Sequence, residues 1–413
     1  MTTMNVVELF SGIGSQKEAL KRSKLRKKAK IIYTSDWFVP SIISYDLLHN
    51  GDQKLKRIKT YSKEKLIQLI KNYNLSYNGK TPITDKGYKS MSLIVLQKLY
   101  AAIRRTKNVG NIENVDANKF YKSIGLLTYS FPCQDLSNVG AFHGYVNGID
   151  KNMKTRSGLL WEVARILKSI RESGSELPKF LLMENVAALN AGKHKKNFEI
   201  WKKELRDLGY YNQVYLLNAR NFGIPQNRER LFMISVKIFG NDRLETLLDE
   251  YFKNNNLEEC EMNLLPLKEI LKTDYSTDYY LSEALQAQPN NTDSRKMIYE
   301  NNHKLLDRNG NYRAYTSTLT TKQDRHPNSG VIDFKTDRNN YRFITPRESL
   351  MLMGFKEKQF DKLNSLNFPS RGNKLFLTRD KYYKITGNSI VVNVLKAIFD
   401  QINDIDEMFD NNY

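Results

Sequence analysis

Short apolar runs alternate with helix-forming stretches along roughly the first 235 residues, and that alternation leaves the chain few architectures. Asn5-Val-Val-Glu-Leu-Phe10 is stopped by Ser11-Gly-Ile-Gly14; helix formers follow from Gln16 to Leu25, and Ile31-Ile-Tyr33 then leads to Asp36. This predicts strand, tight turn, helix, strand. Gly125 to Phe131, Lys179 to Met183 and Arg230 to Ser235 repeat the strand pattern, among helical stretches over Leu159 to Ser169 and Asn197 to Leu208. Runs that are apolar throughout need cover on both faces. The expected fold is therefore α/β, a doubly wound, mainly parallel sheet, with a second, smaller mixed domain.

The texture of the chain suggests where domains divide. Residues 50–110 hold two lysine-rich helical patterns, Lys63 to Tyr73 and Lys89 to Lys107, which read as an insertion of no legible purpose between sheet strands. Residues 1–236 form the first expected domain. Over 237–340, acids and asparagines scatter and no long helical period persists, which predicts the smaller domain. Residues 341–413 are expected to return to the first domain through a helix over Asn388 to Ile402, with Val391, Val394, Leu395 and Ile398 on one face.

Composition narrows the function classes. The two cysteines, Cys133 and Cys260, have no Cys or His at ligand spacing, so no disulfide framework and no metal site is expected. No apolar stretch approaches the roughly 18 residues of a membrane helix, and the start of the chain lacks a basic leader, so a cytoplasmic protein is expected. The formal net charge of +20 favours a polyanionic partner, although a lysine-rich proteome gives the same balance. Seven of the ten residues from Lys21 to Lys30 are basic; they could touch phosphates or form a solvated helix face.

The residues able to do chemistry fall where the expected strands end. Phe10-Ser-Gly-Ile-Gly14 is a strand-to-helix turn whose glycines let main-chain N–H groups approach a ligand. Asp36 stands 24 positions after Gly12, where such folds hold an acid that accepts from ribose hydroxyls, and Trp37 beside it can stack on an adenine. A nucleoside-containing cofactor is one reading; a plain structural turn is the other. Phe131-Pro-Cys-Gln134 puts Cys133 at a strand's carboxyl end, with Pro132 fixing the turn into a glycine-containing loop. Glu184 ends another apolar strand on the same rim, as a candidate acid or as a cap for the next helix. Gln226-Asn-Arg-Glu-Arg230 reads as the start of one strand, whose period of two would bring Arg228 and Arg230 together on one face. Taken singly, an inert buried cysteine, a helix cap and solvated arginines account for these residues as well.

Taken in order, the glycine turn, the acid-Trp pair, Pro-Cys-Gln, Glu-Asn-Val, Gln-x-Arg-x-Arg and a late Gly387-Asn-Ser389 resemble the DNA (cytosine-5)-methyltransferase family of bacterial restriction-modification systems. Thr128 to Ser137 and Thr155 to Trp161 are most similar to mollicute-type CG-specific members. The resemblance covers about 5–235 and 340–402, and implies S-adenosylmethionine as cofactor, with S-adenosylhomocysteine as product. Its positions for the cofactor are Phe10, Gly12, Ile13, Gly14, Asp36, Trp37, Asn111, Ile112, Pro132, Leu159, Asn388 and Ser389. It implies Cys133 as nucleophile on C6 of a flipped cytosine, Glu184 at N3 and the exocyclic amine, and Arg228 and Arg230 near the base. Gln134, Ser137 and Thr318 fall at DNA-contacting positions, the first two on a loop from Gln134 to about Lys154 that would close over the base. The segment 237–340 matches the target-recognition domain in position. In it Lys322, Arg325 and His326 could read guanines or meet phosphates. The chain departs from the pattern at Ser15 and Ser130, where glycine is frequent, and at Asn111, where an acid is frequent. The implied partners are double-stranded DNA, with which the protein would associate in the nucleoid, and a cognate restriction endonuclease; no membrane is implied, and a monomer is the default. Competing readings are a tRNA cytosine-5 methyltransferase of the same family, a non-catalytic DNA-binding regulator and a nicotinamide-dependent oxidoreductase. The last is disfavoured by the lack of a full Gly-x-Gly-x-x-Gly.

Overall fold

Seven strands organise the first 237 residues: β1 (Met4–Leu9), β2 (Ala29–Ser35), β3 (Leu126–Tyr129), β4 (Phe180–Val186), β5 (Tyr210–Asn218), β6 (Gln226–Asn227) and β7 (Glu229–Lys237). All but β6 join one sheet in the order β2-β1-β3-β4-β7-β5. β1 is parallel to β2 and β3, β3 is parallel to β4, and β7 runs antiparallel to β4. The chain is thus built on a mainly parallel α/β sheet, as expected. These details come from a computed structural model that describes residues 3–117, 120, 123–132 and 157–410.

Helix α1 (Ser15–Arg22) follows β1, and α2 (Val39–Asn50) follows β2. All seven residues of β4 are buried, as an apolar strand covered on both faces must be. The core gathers Leu127, Tyr129, Leu181 and Met183 with Leu160, Ile166, Leu167, Phe198 and Trp201 from the helices Leu160–Glu172 and Lys195–Asp207. The insertion forms the helices Lys63–Lys71, Asp85–Ser90 and Leu93–Thr106. Strand β5 was not foreseen. Its segment Tyr-Tyr-Asn-Gln-Val-Tyr-Leu-Leu-Asn opens on one buried and four half-buried residues, and of the rest only Tyr215 and Leu217 are buried.

Two compact units result, and their boundaries differ from those expected. The first holds Met1–Leu217, Glu229–Glu259 and Lys396–Tyr413; the second holds Asn218–Arg228 and Cys260–Leu395. Residues 341–395, expected to return to the first unit, belong to the second. The expected helix over Asn388 to Ile402 starts later, at Val392, and runs to Asp410; Asn388 is the C-cap of the preceding helix, Arg379–Gly387. Residues from Lys396 onward engage the basic run near the N-terminus: Lys24 pairs with Asp404 at 2.8 Å and Lys28 with Glu407 at 2.5 Å. Arg22 pairs with Glu18. Three of the seven basic residues there thus have carboxylate partners.

The second unit is built differently. Its three-stranded sheet uses only Lys304–Leu306, Val331–Asp333 and Tyr341–Arg342. Arg342 and Glu348, both with fully buried side chains, form a two-pronged ion pair at 2.9 Å on each prong. Glu348 also closes the helix N-terminus at Thr345 in a capping box. Among the described residues, no helix is long and apolar enough to cross a membrane.

Candidate active site

Register aligns the parallel strand ends. Leu9 lies opposite Ser35 and Tyr129, and Tyr129 opposite Met183. The residues that follow these positions, Phe10, Asp36, Ser130 and Glu184, therefore stand in one row at the carboxyl rim, where open α/β sheets bind ligands.

The turn after β1 is shaped for close approach. Phe10, Gly12 and Gly14 all have positive φ, at 57°, 54° and 79°. A Cβ on Gly14 would come within 2.4 Å of the His49 ring, so only glycine fits there. A Cβ on Gly12 would meet nothing within 4 Å, which leaves open space beside its main chain. Asp36 ties this turn to β2: its Oδ2 accepts from the Gly12 N–H at 2.8 Å, and its Oδ1 from the Phe38 N–H at 2.7 Å. Burial pushes the Asp36 carboxyl up to about 6, against these main-chain donors, which favour the ionised form. Ile13 is buried, and Trp37 is half-buried.

The insertion braces this rim, a role its sequence did not suggest. The Ser76 N–H donates to the Trp37 carbonyl at 2.7 Å, and the Ser76 carbonyl accepts from the Val39 N–H. The Tyr73 carbonyl accepts from the Asn111 N–H at 3.1 Å. Gly110 permits that contact: its φ is +84°, and a Cβ there would lie 2.3 Å from the Tyr73 oxygen. The Asn111 amide donates to Glu113 Oε2 at 2.8 Å, which holds that acid beside Asn111. Ile112 is buried in the core cluster, and Phe10 and Leu159 pack against that same cluster.

Glu184 sits at the other end of the row, 7% exposed. The Ser130 hydroxyl donates to its Oε2, and Arg230 Nε lies 3.5 Å from its Oε1. Phe232 is the strand partner of Glu184, so Arg230, two residues earlier on β7, shares its face. The Asn185 amide donates to the Phe131 carbonyl at 3.0 Å and so holds the main chain just before Pro132, which is half-buried. Cys133, Gln134, Ser137 and the rest of the expected closing loop lie outside the described residues.

One expectation needs correction. Gln226 to Arg230 is not one continuous strand: β6 pairs with Thr316–Ser317 in the second unit, and β7 begins at Glu229 in the first unit's sheet. The period-two argument for bringing Arg228 and Arg230 together therefore fails. Arg228 is 4% exposed and donates to the carbonyls of Leu319, Gly387 and Ser389 at 2.8–3.0 Å. Asn388 is exposed and Ser389 buried. Thr318 donates through its hydroxyl to the Asn227 carbonyl at 2.7 Å, and the Leu319 N–H donates to Gln226 Oε1. Arg228 and Gln226 thus hold together segments more than 90 residues apart, which no local pattern could have indicated.

A glycine turn, an acid at the end of β2 and a buried carboxylate on β4 thus stand along one edge of a mainly parallel sheet. The model for C-5 cytosine-specific DNA methylases matches residues 89–404, and the chain belongs to that family. It is 33% identical over 403 residues to the orphan methyltransferase M.SssI of Spiroplasma monobiae, covering 97% of each chain. It is 32% identical to the type II methyltransferase M2.ScrFI of Lactococcus lactis subsp. cremoris, covering 97% of this chain and 99% of the relative. Among solved structures, Entamoeba histolytica EhMeth superposes with a TM-score of 0.58 at 16% identity, and S. pombe Dnmt2 with 0.56 at 18%; each match covers at least 97% of both chains. These two support the fold alone. The enzyme is a DNA cytosine-5 methyltransferase, and the tRNA reading is not favoured.

Proposed function

We propose that this enzyme methylates C5 of a cytosine flipped out of a short, specific duplex site, through a covalent bond between Cys133 and C6. The observation that carries the proposal is the buried Glu184 carboxyl, held between Ser130 and Arg230 on the rim that Phe131-Pro132 enters just before Cys133. C6 is inaccessible inside a stacked duplex, so the base must leave the helix. The Cys133 thiolate attacks C6, and electron density moves into the ring towards N3 and C5. Glu184 engages N3 and the exocyclic amine and stabilises that density, while Arg230, beside it, is suited to the O2 edge. After transfer, a base removes the C5 proton and Cys133 is eliminated, restoring the aromatic ring.

The first unit's rim suits S-adenosylmethionine. The space beside Gly12 is open, the Asp36 carboxylate can accept from ribose hydroxyls, and Trp37 offers a ring to the adenine. Phe10, Ile13, Gly14, Asn111, Ile112, Pro132 and Leu159 would complete that side; Asn388 and Ser389 are assigned to the cofactor by the family resemblance. The cofactor supplies the methyl group on a sulfonium. Gln134, Ser137 and Thr318 would meet the DNA, and residues 237–340 would choose its sequence. A monomer is proposed, acting either alone or beside a cognate restriction endonuclease.

Bisulfite sequencing of a plasmid from cells expressing the protein, beside Cys133→Ala, tests this reading. Protected cytosines confined to one short motif and absent from the variant support it. No protection from a soluble protein that binds S-adenosylmethionine overturns it.

A further inference from the structure

We infer that Ser130 is a positioning residue for the Glu184 carboxyl; the inference rests on the reaction proposed above. Ser130 follows Tyr129 on β3, and Glu184 follows Met183 on β4; Tyr129 and Met183 are register partners, so the two side chains stand side by side. The Ser130 hydroxyl donates to Oε2. Among the described residues, the charged group facing the carboxyl is Arg230, from β7, 3.5 Å from Oε1. The Glu184 side chain is 9% exposed and that of Arg230 17%, so little water competes for either oxygen.

The two neighbours are chemically different. A guanidinium only donates, and therefore supports the carboxylate alone; a hydroxyl donates to a carboxylate and, after rotation, accepts from a carboxylic acid. Ser130 is thus able to hold Glu184 in one orientation through both of the protonation states that engaging N3 requires. Without the hydroxyl, Oε2 loses its donor in a nearly dry site and the carboxyl is free to rotate about its last bond.

Single-turnover methylation of duplex DNA tests this, using wild type, Ser130→Ala, Ser130→Thr and Ser130→Ala combined with Glu184→Gln. Ser130→Ala should lower the rate roughly tenfold, the size expected from losing one hydrogen bond to a charged group, and leave KM for S-adenosylmethionine unchanged. Ser130→Thr should recover most of the rate, and the alanine should add less than about twofold to Glu184→Gln. If the alanine variant does not fold, Ser130→Cys, similar in size but a much weaker donor, replaces it. The inference is overturned by a wild-type rate in the alanine variant, by no recovery with threonine, or by an equal loss in the Glu184→Gln background. If Cys133→Ala and Glu184→Gln both methylate at the wild-type rate, the proposed reaction fails. If both are inactive while Ser130→Ala matches wild type, only the role of Ser130 fails.

Discussion

Both units bury apolar side chains, but the second also encloses an ion pair whose two side chains are fully buried. In the first, β4 is buried along its whole length, and its residues Leu181 and Met183 pack with Leu, Ile and aromatic residues from the covering helices. In the second, the interior holds charge: Arg342 with Glu348 at no exposure, and Arg347, its side chain 4% exposed, with Glu283, Glu357 and Asp361. Apolar burial is non-directional, so many sequences satisfy it and it leaves a periodic trace. A buried charge needs a particular partner. Arg347 finds Glu283 at a separation of 64 residues, which leaves no trace in any local window. The comparison teaches why the first unit was easy to read and the second was not.

The sharpest test addresses the rim of the readable unit. Cys133→Ala should abolish methylation, and Glu184→Gln should lower the single-turnover rate by about 10²- to 10⁴-fold, with S-adenosylmethionine binding retained by calorimetry. Activity in both variants would leave the row of strand-end residues without a chemical meaning.

Stability comes next. Arg342→Met leaves Glu348 buried without its counter-charge and should destabilise the protein by about 3–5 kcal/mol. The volume-conserving Leu182→Met in β4 should stay below about 1.5 kcal/mol. Urea unfolding measures both, and adding Glu348→Leu to Arg342→Met should recover part of the loss. Equal effects of the two single changes would break the contrast between the units.

Gly110→Ala asks whether the readable unit also depends on a contact distant in sequence. A Cβ 2.3 Å from the Tyr73 oxygen, at a φ of +84°, must displace the Asn111 segment. Affinity for S-adenosylmethionine should fall roughly tenfold, as titration calorimetry would show. An unchanged affinity would remove the insertion from the cofactor site.

The smallest expected effect is a pH dependence. The folded Asp36 carboxyl lies near 6, above its ordinary 3.8, because burial opposes its charge. Its contribution to stability is therefore fully present below 3.8 and lost as pH rises through about 6. Cofactor binding runs the other way, since the protonated acid is a poorer acceptor for ribose hydroxyls. Affinity should fall by about threefold from pH 7 to pH 5, and Asp36→Asn should flatten that profile. A flat wild-type profile would exclude Asp36 from ribose recognition.

Much of the first unit was legible because each chemical motif directly follows an apolar run. Asn5 to Phe10, Ile31 to Asp36 and Lys179 to Glu184 announce both the strand and the residue at its end. Strand β5 was missed because half-buried Tyr, Asn and Gln residues interrupt its pattern. The break at Arg228 was missed because two short strands of different sheets read as one. Ser130 was noted only as a departure from a frequent glycine; its partner lies 54 residues away.

The sequence by itself determined that parallel strands would carry Phe10, Asp36 and Glu184 to one rim, because parallel strands with one crossover sense end at a common edge. Tertiary structure alone decided that Tyr73 and Ser76 brace that rim, that Arg228 clasps Leu319, Gly387 and Ser389, and that the units divide after Glu259 and Leu395. Those outcomes depend on directional hydrogen bonds between segments far apart in the chain. Such bonds are selected by packing, and packing is absent from any window of local sequence.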